Sequence, residues 1–147
     1  MGCLFFFMMF FDSSYLIGLF VKNDDYYESA HFLKDYLSHE TILINSVVFV
    51  EVLNSLKMTK HGVNYENDLD VLFGFLWDDV VFHHLEHDDY RRSFELFKYY
   101  GQSINFSDCT ILLTMIDYGV NKIVSFDSDF DKVNSICRIY CEKKQTF

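Results

Sequence analysis

Residues 124–133 read VSFDSDFDKV: Asp127, Asp129 and Asp131 alternate with Ser128 and Phe130 directly after an apolar run. Three more acids stand in apolar company. Asp12 follows the run Cys3–Phe11. Glu51 lies in SVVFVEVLNSLKMTK, where a turn of about 100° per residue puts Val47, Val48, Ser55 and Met58 on its side, with Lys57 and Lys60 pointing away. Asp108 shares a face with Ile111, Leu112 and Met115, while Asp117 lies opposite and faces solvent. Taken alone, Asp108 needs no more than the positive end of its helix, worth about 0.3–1 kcal/mol. Asp12, Glu51, Asp108 and Asp127 together would repel one another, and an unpaired buried charge is costly. Mg²⁺ or Mn²⁺, which prefers carboxylate and water oxygens, resolves that repulsion.

The acids need elements that bring them together. Cys3–Phe11 reads as a fully buried strand, and Ser13 or Ser14 as the cap of a helix through Val21. Asp24 or Asp25 opens a second helix, YYESAHFLKDYLSH, followed by the strand TILIN and a helix capped by Ser46. NDLDVLFGFLWDD has helical spacing and VVFHHL reads as a strand. Asp88 or Asp89 caps YRRSFELFKYY, with Tyr90, Phe94 and Phe97 on one stripe. A helix from Ser107 to Tyr118 ends at Gly119, NKIVSF is a strand, DSDFDKV a helical turn and ICRIY a last strand. Strands alternating with helices imply βαβ crossovers and a mostly parallel sheet covered on both faces. Such sheets place ligands beyond the carboxyl ends of their strands, which is where Asp12 and Asp127 fall. Within the turn, Asp127 leans over that edge, Asp129 reaches the site as an outer ligand, Phe130 packs inward and Asp131 reaches solvent.

Composition bounds the rest. The 147 residues are half apolar, with no proline, 6 glycines and no linker or repeat, which reads as one domain over residues 1–147. A formal net charge of −10 argues against an unaided nucleic-acid groove, unless cations stand between carboxylates and phosphate. The four cysteines (Cys3, Cys109, Cys137, Cys141) contain no C-x-x-C and read as buried free thiols in a reducing cytoplasm. The apolar start lacks a basic region and a small-residue cleavage site, and is too short to span a membrane. Phe6 stands where myristoylation needs Ser or Thr.

FFDSSYLIGLF, NSVVFVEVLN and INFSDCTILLTMIDYGVNKIVSFDSDFDKV resemble the acidic blocks of PIN domains, particularly the VapC-type toxins. The resemblance spans nearly the whole chain in the expected order, with residues 105–133 the most specific block. It implies a three-layer α/β/α sandwich with a mostly parallel central sheet, and a metal-dependent endoribonuclease using Mg²⁺ or Mn²⁺. The family's acids fall on Asp12, Glu51, Asp108 and Asp127, and Ser125 stands where many members carry Thr or Ser. One or two ions would then sit against the scissile phosphate, leaving 5′-phosphate and 3′-hydroxyl ends. The acidic net charge departs from the usual pattern of an RNA-binding protein.

The expected partners are an RNA substrate, a small antitoxin protein and a second copy of the chain, with no membrane. A non-catalytic PIN-like interaction module and a free-standing RNA-processing nuclease are the competing readings. Arg91 and Arg92 are candidate RNA-phosphate contacts, against a solvated, ion-paired helix face. His83, His84 and His87 include an i, i+4 pair, but strand geometry splits His83 from His84 and argues against zinc.

Overall fold

The computed structural model describes residues 8–57 and 65–142. In chain order these form β1 (Met8–Phe11), α1 (Ser13–Phe20), α2 (Tyr27–Leu37), β2 (Thr41–Asn45), α3 (Ser46–Lys57) and α4 (Tyr65–Asp78). Then come β3 (Val81–His83), α5 (His87–Tyr100), α6 (Phe106–Tyr118), β4 (Lys122–Val124), a 3-10 turn (Ser128–Lys132) and β5 (Cys137–Ile139). The part of the N-terminal run before Met8 lies outside the described residues.

The strands make a five-stranded sheet in the order β3-β2-β1-β4-β5, and every pairing is parallel. The fold is therefore the expected α/β/α arrangement. Phe10 of β1 stands opposite Leu43 of β2 and Ile123 of β4, and all three are fully buried. A strand covered on both faces has no solvent side to alternate toward, so β1 reads as an unbroken apolar run. Each such side chain contributes about 1.5–3 kcal/mol by leaving water. The main core joins β1, β2 and β4 to helices α1–α4 and α6; a smaller one (Ile104, Cys109, Leu112, Val133) lies beneath α5 and α6.

Helix starts are where sequence reading and structure part. Asp12 itself, in extended backbone, caps α1 by accepting from the Ser13 amide, leaving the serine hydroxyls free for other partners. Asp24 accepts from the Tyr26 amide and shapes the turn ahead of α2, which begins only at Tyr27. Asn45, not Ser46, accepts from the Val48 amide at the head of α3, while the Ser46 hydroxyl accepts from Leu85 N. The Asn45 amide group also donates to Thr110 and Thr114 (3.4 and 3.2 Å), tying β2 to α6 through a wholly buried side chain. Glu86, rather than Asp88 or Asp89, caps α5, with Asp89 answering in a reciprocal capping box. Only Phe97 of the α5 stripe packs inward; Tyr90 and Phe94 are exposed. Gly119 ends α6 as expected, in the left-handed region (φ 67°) that glycine adopts without strain.

Cys109 is buried, Cys141 is half-buried and donates to the Ser29 carbonyl, and Cys137 is exposed, so the expectation of buried thiols fails at Cys137. Cys3 lies outside the described residues. Among the described residues no helix is long and apolar enough to cross a membrane.

Candidate active site

With every strand parallel, the backbone following β1 and β4 emerges at one edge of the sheet. The Asp12 amide donates to the Val124 carbonyl at 3.0 Å, fixing the two exits side by side. Asp12 is 5 % exposed. One of its oxygens accepts from the Ser13 amide (2.8 Å), the other from the hydroxyls of Ser125 (2.6 Å) and Ser14 (3.1 Å). Ser125 is itself buried, and its hydroxyl also accepts from the Asp127 amide at 3.0 Å. One hydroxyl thus orients two of the expected acids. Glu51, half-buried on α3, accepts from the Ser13 hydroxyl at 2.7 Å.

Asp108 enters from the first turn of α6. It is 6 % exposed, and its Oδ2 accepts from the Asn105 amide at 3.3 Å while the Asn105 side chain accepts from the Asp108 amide at 2.9 Å. Asp127 caps the 3-10 turn by accepting from the Asp129 amide (2.9 Å). The turn is anchored by Phe130, which is fully buried. This brings one carboxylate oxygen each from Asp108, Asp127 and Asp129 within 4.8 Å of one another. Asp129 therefore joins Asp108 and Asp127 in one cluster. Asp12 is linked to the Asp127 amide through the Ser125 hydroxyl, and Glu51 is linked to Asp12 through Ser13. Asp129 also accepts from Lys132 at 2.8 Å. Asp131 is exposed, yet it is tied to Arg138 by two 2.8 Å hydrogen bonds.

The electrostatics follow from this crowding. Burial pushes the Asp108 carboxyl up to about 7, helped by the charges of Asp127, Asp12 and Asp129 and opposed by the Asn105 hydrogen bond. Burial also raises Asp12, with Glu51 adding to it, against the hydrogen bonds of Ser125, Ser14 and Ser13. Acids held this way gain from a nearby cation. The donors are all carboxylate oxygens, a hard set that fits Mg²⁺ or Mn²⁺ and not a soft-ligand metal.

A PIN domain family model matches residues 9–136. The chain belongs to the PIN domain family. Among solved structures, this PIN domain is similar to Mycobacterium tuberculosis VapC20, described as a Sarcin-Ricin loop cleaving toxin. That likeness has a TM-score of 0.74 and 18% identity, over 90% of this chain and 99% of the other. It is also similar to a chain of VapBC2 from Rickettsia felis, bound to a DNA fragment from their promoter. There the TM-score is 0.64 and the identity 15%, over 91% and 99% of the two chains. No curated protein matches it by sequence.

The other expected residues of this PIN domain lie on α5 and its approach. Arg91 pairs with Asp88 at 2.8 Å in solvent. Arg92 makes a two-bond fork to Asp117 (2.7 Å each), so the acid expected to face water freely is an interhelix partner. His83 is held between the Tyr118 hydroxyl and Asp89, both at 3.1 Å, while His84 and His87 are exposed. Among the described residues, none of the three histidines joins a group able to converge on a cation. Ser13, Ser14 and Asn45 were missed by sequence reasoning. The DSS triplet directly after the central strand is the local signal for the two serines, and Asn45, at the end of TILIN, has none.

Proposed function

We propose that the chain is a divalent-cation-dependent endoribonuclease, with Asp12, Glu51, Asp108 and Asp127 as its working acids and Asp129 beside them. One observation carries this reading: three carboxylates meet within 4.8 Å at the carboxyl edge of a parallel sheet, with Asp12 and Glu51 adjoining. An RNA phosphate would be repelled by such a cluster alone. Bound Mg²⁺ or Mn²⁺ would supply Lewis acidity toward the phosphate and lower the pKa of water for in-line attack.

The chain's own residues have separable parts in this scheme. Asp108, Asp127 and Asp129 offer the converging oxygens. Asp12 is aimed by Ser125, Ser14 and the Ser13 amide, so its carboxylate needs no reorganisation on binding. Glu51, held by a single hydroxyl and half-buried, has the freedom to orient a water. Arg91 and Arg92 are proposed as phosphate contacts, since exposed ion pairs of this kind exchange at a cost of about 0–1 kcal/mol.

The named likeness to VapC20 and VapBC2 supports the narrower reading of a cytoplasmic toxin restrained by a small antitoxin. An Arg or Lys of that partner, placed among the acids, would compete with the cation. The test is cleavage of loop-containing RNA by purified protein with Mg²⁺ or Mn²⁺. Chelation by EDTA and the Asp108→Asn variant should each abolish it. Cleavage that persists in both would overturn the proposal.

A further inference from the structure

Arg138 lies on the edge strand β5, opposite Ile123 of β4, and its side chain is 6 % exposed. A guanidinium covered this well is costly unless its donors are met. Its Nε and Nη2 donate to the two oxygens of Asp131, each at 2.8 Å. Its Nη1 donates to the Ser125 carbonyl at 3.2 Å, and its Cζ lies over the Tyr140 ring, 3.6 Å from the centroid. Ser125 and Asp131 bracket the segment that carries Asp127 and Asp129. Ser125 is engaged at every polar atom. Its amide donates to the Ile139 carbonyl at 3.2 Å, its carbonyl accepts from Arg138, and its hydroxyl joins Asp12 to the Asp127 amide.

We propose that Arg138 is a positioning residue: by gripping the Ser125 carbonyl and the Asp131 carboxylate together, it staples the acidic turn and holds Asp127 and Asp129 against Asp108. Asp131, which sequence spacing leaves in solvent without a task, is the far anchor of that staple. The effect on cleavage rests on the nuclease reading above; the effect on the turn does not.

A planar fork is required, because a point charge cannot meet a carboxylate with two parallel bonds while donating to a carbonyl on the other side. The competing role for Arg138 is bulk charge. The two roles have opposite signs. Removing a cation beside an acidic site tightens cation binding if charge is all that matters. It weakens binding if the turn loses its shape, by about tenfold or more for an outer residue that orients ligands.

The test uses the full chain and the variants Arg138→Gln, Arg138→Lys and Asp131→Asn, with Lys98→Gln as a distant charge control. Asp131 is 53 % exposed on its side chain, and Asn keeps one oxygen to accept from Arg138. Asp131→Asn is therefore the milder change and backs up Arg138→Gln should that variant fail to fold. In metal-free protein, amide ¹H–¹⁵N spectra should show the Ser125, Asp127 and Asp129 signals displaced in Asp131→Asn and both Arg138 variants, and unmoved in Lys98→Gln. Mn²⁺ affinity, read from the paramagnetic resonance of free ion, should fall in Arg138→Gln and Arg138→Lys. Turnover should fall with KM little changed. Tighter Mn²⁺ binding in Arg138→Gln, full recovery in Arg138→Lys, or unmoved turn amides in Asp131→Asn would each overturn the staple. A wild type that neither binds Mn²⁺ nor cuts RNA would instead defeat the nuclease reading, and the spectra would still decide the staple.

Discussion

Replacing Asp108 by Asn should stabilise the metal-free protein above neutral pH and leave it unchanged in mild acid. Folding pushes this carboxyl up to about 7, chiefly by burial, whereas an unfolded aspartate titrates near about 3.9. Between those values the folded chain holds a proton that the unfolded chain has released. Stability therefore falls as pH rises from about 4 to about 7, and the penalty is complete above that. Taken at face value the shift corresponds to about 4 kcal/mol, and partial solvation of the cluster reduces this to about 2 kcal/mol. Asn is neutral throughout and keeps an oxygen that can accept from the Asn105 amide. Urea unfolding in EDTA should thus find Asp108→Asn more stable by about 2 kcal/mol near pH 8, a shift of roughly 4–8 °C in melting temperature, and equal near pH 4. Asp12 is raised as well and tilts both curves, so the wild-type-minus-variant difference isolates Asp108. Saturating Mn²⁺ should invert the order by binding only the folded wild type. A variant less stable than wild type at alkaline pH, or a difference independent of pH, would refute the reasoning.

Ser13→Ala removes the single hydroxyl that holds Glu51. It should lower RNA turnover by about tenfold with little change in KM, measured by initial rates; unchanged turnover would remove Glu51 from the working acids. Gly119→Ala meets no neighbouring atom but inherits a φ of +67°. Denaturant unfolding should show a loss of about 1 kcal/mol with Mn²⁺ affinity intact.

What could be read in advance depended on range. The alternation of apolar runs and helical spacing is local, so it reveals the parallel sheet, and with it the edge where Asp12 and Asp127 emerge. The inward face of Asp108 is equally local, because Ile111, Leu112 and Met115 repeat at helical spacing and are buried. Caps were misassigned where two candidates adjoin. Asp12 and Ser13 both suit a cap, and only the bond to Val124 shows that Asp12 is the last strand-like residue. The turn after β4 is 3-10, with about three residues per circuit in place of 3.6. An α-helical count therefore misjudges how near Asp129 comes to Asp108. The Ser125–Asp12 and Arg138–Ser125 bonds join neighbouring strands, and no periodicity within one element encodes them.

The place of β1 in the sheet has a consequence for timing. β1 lies at the centre, between β2 and β4, and the carboxylate at its tip is aimed by a hydroxyl 113 positions later in the chain. On a ribosome, β2 can pair with β1 early, but the slot for β4 stays open until residues 122–124 have left the exit tunnel. Distant pairings of this kind form late, because loop closure must precede the contact. Asp12 and Asp127 thus meet only after almost every other element has been made. A nascent or prematurely terminated chain lacking β4 and the acidic turn would carry Asp12, Glu51 and at most Asp108, with the carboxylate cluster still unassembled.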